Sequence, residues 1–140
     1  MIFYIVNRGN SLKNKGGREI KALIIEDNEF IQEQMTLILE AKNHETKSVM
    51  DGAAGLEQIK EFEPDVILCD LMMPGMNGFD FIKTYRQESM GSKPVIAMTA
   101  ILGARGVSKE SLLEMGFDEV VTKPFDFDEF IKLIESFAQV

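Results

Sequence analysis

Short apolar runs recur along the chain at "ALII" (22–25), "VILC" (66–69) and "VIAM" (95–98), with a weaker run at "EVVT" (119–122). The runs do not alternate apolar with polar residues, so they predict strands buried on both faces, as in a parallel sheet. "TKSVM" (46–50) is more polar and predicts an edge strand. Segments of helical period lie between the runs. Residues 29–42 set Phe30, Ile31, Met35, Ile38 and Leu39 along one broad face. Residues 53–62 do the same with Leu56, Ile59 and Phe62, and Asp51 is placed to cap them. Residues 77–88 contribute Phe79, Phe81, Ile82 and Tyr85. A short helix is expected over 108–115 and a last one over 126–138, with "FDFDEF" (125–130) as its capped start. Strand and helix thus alternate five times, which predicts an α/β fold: an open, doubly wound parallel sheet with helices on both faces.

A length of 140 residues suits one domain, and 45% apolar residues can fill its core. The net charge of -8 is unevenly spread. Residues 1–21 hold five bases (Arg8, Lys13, Lys15, Arg18, Lys21) against Glu19, which is +4 and leaves -12 for the remainder. An acidic body argues against nucleic acid as the main partner, because phosphate contacts need clustered Lys and Arg. Residues 1–20 read as a flexible basic leader and 21–140 as the domain. The opening "MIFYIV" is consistent with an added strand, a remnant of an upstream segment or a docking tail. No apolar run is long enough for a membrane span, and the single cysteine, Cys69, fits a reducing compartment, so the cytoplasm is the expected location. Cys69 reads as a small buried hydrophobe. The one histidine, His44, reads as an exposed loop residue with no catalytic role.

In sheets of this type the functional crevice lies beyond the carboxyl ends of the strands. Those ends carry Glu26 and Asp27, then Asp70, then Thr99 and Ala100, and finally Lys123 and Pro124. Singly, each has an ordinary explanation as a cap, a strand-end hydroxyl or a solvated charge. Together at one edge they suit phosphoryl chemistry. Three crowded carboxylates repel one another, and a hard cation such as Mg²⁺ relieves this with oxygen ligands. An ionised Asp70 is then a nucleophile towards phosphorus, while Lys123 and Thr99 are the group types that hold phosphoryl oxygens.

The pieces "LIIEDNEF", "ILCDLMMPGMNGFDFI", "VIAMTA" and "VVTKPF", in this order and spacing, resemble the receiver domain of two-component response regulators over residues 21–138. The resemblance implies a flavodoxin-like (βα)5 sheet with strand order 2-1-3-4-5. It makes Asp70 the phosphoacceptor, with Thr99 and Lys123 contacting the phosphoryl group. Glu26, Asp27, Asp70 and the Met72 backbone carbonyl would serve Mg²⁺. A cis Lys123–Pro124 bond is implied, with Pro74 and Gly78 in the turn after the acceptor. The phosphoryl donor would be a sensor histidine kinase or a histidine phosphotransfer protein. The downstream partner would be a protein that the sequence does not identify. Neither nucleic acid nor membrane is expected as a partner, and weak homodimerisation is compatible with the fold.

By the same resemblance the domain is not a turnover enzyme: it would catalyse only its own phosphorylation and dephosphorylation. Two positions depart from the family pattern. Glu26 stands where Asp is commoner, and Val120 stands where the family carries an aromatic residue or histidine that swings inward with the threonine. Met72 and Ile101, two residues after Asp70 and Thr99, would flank the phosphoryl group and slow hydrolysis. The glycines of "AILGARGVSKES" predict a segment that reshapes on phosphorylation. Met72, Met73 and Met76 are an adaptable surface for a partner.

Other functions fit less well. A haloacid-dehalogenase phosphatase would want a second Asp where Met72 stands. An FMN carrier would not end its first strand in acids. The alternative that survives is a receiver-fold docking module whose output does not depend on phosphorylation.

Overall fold

The computed structural model describes residues 19–104 and 106–137. Residues 1–18 of the leader expected over 1–20, with its "MIFYIV", and the final residues 138–140 lie outside the described residues. Five strands, β1 (Lys21–Ile25), β2 (Glu45–Val49), β3 (Val66–Asp70), β4 (Val95–Thr99) and β5 (Glu119–Thr122), form one parallel sheet in the order β2-β1-β3-β4-β5. They alternate with helices α1 (Glu29–Ala41), α2 (Gly52–Phe62), α3 (Gly78–Lys83), α4 (Lys109–Met115) and α5 (Phe127–Ser136). This is the flavodoxin-like (βα)5 order that the resemblance implies.

Strand periodicity of two divides the core. Ala22, Ile24, Val66, Leu68, Ile96 and Met98 point to one face and meet Met35 and Leu39 of α1 and Phe130 and Ile134 of α5. Leu23, Ile25, Ile67, Cys69, Val95 and Ala97 point to the other and meet residues of α2, α3 and α4. The three central strands are buried almost throughout, whereas β2 at the sheet edge is partly exposed along its length. Ile20, ahead of β1, is already fully buried.

Each helix starts on a side-chain cap that satisfies an orphan backbone N–H: Asn28, Asp51, Asn77, Ser108 and Asp126. At α1 the Asn28 Oδ1 accepts from the Ile31 N–H at 3.0 Å.

Three expectations need correction. Phe30 is 67% exposed. It stands nine residues from Leu39, about 900° around the helix and so on the opposite side, because a turn takes ~3.6 residues. The helix over 77–88 is not uniform: α3 passes into a π-helical turn at Thr84–Glu88. His44 is buried, not exposed. Its Nδ1 accepts from the Ile20 N–H at 3.1 Å, and its Nε2 lies 3.0 Å from Glu135 of α5. Its imidazole therefore joins the start of β1 to the end of the last helix.

Candidate phosphoryl and metal site

The carboxyl edge of the sheet gathers side chains from β1, β3, β4 and the segment after β5. Backbone bonds extend the ladders past the strand ends: the Leu71 N–H donates to the Met98 carbonyl (3.2 Å) and the Lys123 N–H to the Thr99 carbonyl (2.9 Å). These hold the ends of β3, β4 and β5 in register where the polar residues emerge. The turn after β3 closes tightly. A Cβ on Gly78 would stand 2.5 Å from the Asp70 carbonyl oxygen and 2.8 Å from the Leu71 Cα, so only glycine lets the start of α3 lie against the end of β3.

Asp70 is 6% exposed and Glu26 1%. The Lys123 ammonium lies between them, donating to Glu26 Oε1 at 2.8 Å and approaching Asp70 Oδ1 at 3.2 Å. Glu26 Oε2 accepts from the Asn28 N–H at 3.0 Å. Burial pushes the Glu26 carboxyl above its ordinary range, and the charge of Asp70 adds to the rise; the bonds from Lys123 and Asn28 offset only part of it. Burial alone would lower the Lys123 ammonium, but its bond to Glu26 and the charge of Asp70 outweigh burial, and the net shift is upward. Lys123 is followed by a cis bond to Pro124, and the Phe125 ring stacks on Phe130 at 5.4 Å.

Carboxylate oxygens of Glu26, Asp27 and Asp70 all lie within 4.8 Å of one another. Hard oxygen donors at this spacing can hold a hard divalent cation. Three carboxylates and one ammonium leave a formal charge of minus two, which such a cation would balance. Thr99 sits on β4, one residue past Met98, the register partner of Asp70, and is 1% exposed. Its Oγ1 accepts from the Ile101 N–H at 2.8 Å, which leaves the hydroxyl hydrogen available to a further acceptor. Met72 is half exposed. Asp70, Lys123, Glu26 and Asp27 are thus brought together and Thr99 is on the adjoining strand.

A family model for the response regulator receiver domain matches residues 22–135. The chain belongs to the response-regulator receiver family. Among curated relatives, this receiver is 32% identical over 116 residues to the DNA-binding response regulator MtrA of Mycolicibacterium smegmatis, covering 83% of this chain and 49% of that one. It is 38% identical over 114 residues to the sensory transduction protein RegX3 of Mycobacterium bovis, covering 81% and 48%. The chain therefore spans about half the length of these curated relatives. Among solved structures, the Francisella response regulator 1452 receiver domain superposes with a TM-score of 0.79 at 29% identity, over 86% of this chain and 98% of that one. The receiver is a signalling domain of two-component systems, and no helix among the described residues is long and apolar enough to cross a membrane.

Proposed function

We propose that this receiver accepts a phosphoryl group on Asp70 from a phosphohistidine of a sensor histidine kinase or histidine phosphotransfer protein, and then changes its affinity for a downstream protein. The observation that carries this is the ammonium of Lys123 set between the buried carboxylates of Glu26 and Asp70, with Asp27 completing the cluster. An Asp70 carboxylate oxygen attacks phosphorus as the P–N bond to the donor imidazole breaks, and the imidazole leaves with the electron pair. Lys123 holds a phosphoryl oxygen by its charge, and Thr99 donates its hydroxyl hydrogen to another. Glu26, Asp27, Asp70 and the Met72 carbonyl would hold Mg²⁺, which when bound offsets the negative charge facing the incoming phosphoryl group. Residues 1–20 stand as a basic leader to the domain. The DNA binding in the name of MtrA belongs to that longer protein; for this acidic domain the proposed partners are proteins.

One observation favours a second reading. Val120, where the family carries a ring that swings inward, is short and packs on the core cluster behind the sheet. A receiver without that ring is suited to phosphorylation-independent docking. Intact mass after incubation with acetyl phosphate, with and without Mg²⁺, separates the two readings. A single Mg²⁺-dependent phosphoryl increment, absent from Asp70→Asn, is expected. No increment in the wild-type protein would favour the docking module.

A further inference from the structure

Gln32 contributes no ligand to the acidic cluster, yet it grips the backbone that carries two of the three carboxylates. Its Nε2 lies 2.6 Å from the Glu26 carbonyl oxygen and 2.9 Å from the Val49 carbonyl oxygen, with Met50 Sδ at 3.6 Å. Both near neighbours only accept, so the amide nitrogen, with its two hydrogens, is the end that must face them. The Val49 carbonyl also accepts from the Glu26 N–H at 3.1 Å. One side-chain amide therefore bridges the carboxyl ends of β1 and β2 at the place where their ladder stops.

The Glu26 carbonyl belongs to the planar peptide unit that leads into Asp27, so holding that oxygen holds the plane in which the Asp27 N and Cα lie. The two carboxylates differ in what else restrains them. Glu26 is held through both of its own oxygens, by Lys123 and by the Asn28 N–H. The Asp27 side chain has no hydrogen bond or ion pair among the described residues, so its aim depends on its backbone. Removing an outer partner that orients a metal ligand commonly weakens metal binding while the ligand itself stays in place.

We infer that Gln32 is a positioning residue of the acidic cluster, holding the Glu26–Asp27 peptide to the end of β2 so that Asp27 faces Glu26 and Asp70. This rests on the reading of that cluster as a divalent-cation site. The test is a Mg²⁺ titration of the wild-type protein, Gln32→Met and Gln32→Asn, followed by amide chemical shifts in NMR, beside unfolding midpoints in Mg²⁺-free buffer. Met keeps the length of the arm without its donors, and Asn keeps the donors on an arm too short to span both carbonyls. The dissociation constant should rise about tenfold in Gln32→Met and by a smaller factor in Gln32→Asn, with the Asp27 amide signal displaced before any metal is added. Wild-type affinity in either folded variant would overturn the inference, whatever its unfolding midpoint. Should Gln32→Met not fold, Gln32→Asn decides alone. No Mg²⁺-dependent shift in the wild-type protein would instead overturn the cation reading itself, and this inference with it.

Discussion

Lys123 is held by contacts to two carboxylates, so removing it leaves both without their counter-charge. Truncating one partner of a buried ion pair is costly because the remaining charge stays desolvated. Lys123→Met should therefore lose about 3 kcal/mol in Mg²⁺-free denaturant unfolding, and saturating Mg²⁺ should restore part of the loss. The pH dependence has a definite sign. The folded-state pKa of Lys123 is raised, so its contribution is fully present below the ordinary lysine value of 10.5 and is lost as pH rises through the higher folded value. The gap between wild type and variant should accordingly close as pH rises through that alkaline window, and it should also narrow in acid as the raised Glu26 carboxyl takes up a proton. A second expectation concerns lifetime. Met72 and Ile101, two residues past Asp70 and Thr99, are half exposed and partly exposed, so both apolar side chains are open to solvent. Replacing both with polar residues should shorten the half-life of the phosphorylated protein several-fold, read by loss of the phosphoryl mass. An unchanged half-life would mean that neither side chain hinders the attacking water.

At the scale of elements, the π-helical turn at Thr84–Glu88 aims one side chain at two loops. Arg86 donates to the carbonyls of Gly116 (3.0 Å), Gly91 (3.2 Å) and Lys93 (2.8 Å), and its Nη2 lies 2.7 Å from Asp118 Oδ2. That same Asp118 oxygen accepts from the Val95 N–H at the start of β4. Arg86 thus ties the end of α3 to the entrances of β4 and β5. Arg86→Ala should cost about 2 kcal/mol, because partly buried carbonyls lose their donor. Equilibrium unfolding measures the loss, and Mg²⁺ affinity should stay unchanged because the clamp lies at the amino end of the sheet. The residues from 77 to 88 have helical period, but where the ladder slips depends on loops that Arg86 reaches only after folding. Phe30 failed for a related reason: its position relative to Met35 and Leu39 matters more than its hydrophobicity.

Across the whole molecule, parallel topology explains why the site was legible. Every strand points the same way, so Glu26, Asp70, Thr99 and Lys123, scattered over 97 positions of sequence, must arrive at one edge. Residues that depend on long-range landing were not legible. His44 is buried because Glu135 of α5 comes to rest on it from 91 positions away, and a lone histidine after a helix carries no local mark of that. Gln32 resembles any polar residue on a helix until the two carbonyls beneath it are seen.

Cys69 sits at the centre of this assembly, fully buried, with its thiol pushed well above the usual range by burial and by the charges of Asp70 and Glu26. The chain therefore carries its own clock. A thiol reagent has nothing to react with until the sheet comes apart, so the rate at which Cys69 is labelled counts opening events under native conditions. Labelling should slow when Mg²⁺ is added and quicken in Arg86→Ala. Labelling as fast as in denaturant would mean that the central strand breathes independently of the domain around it.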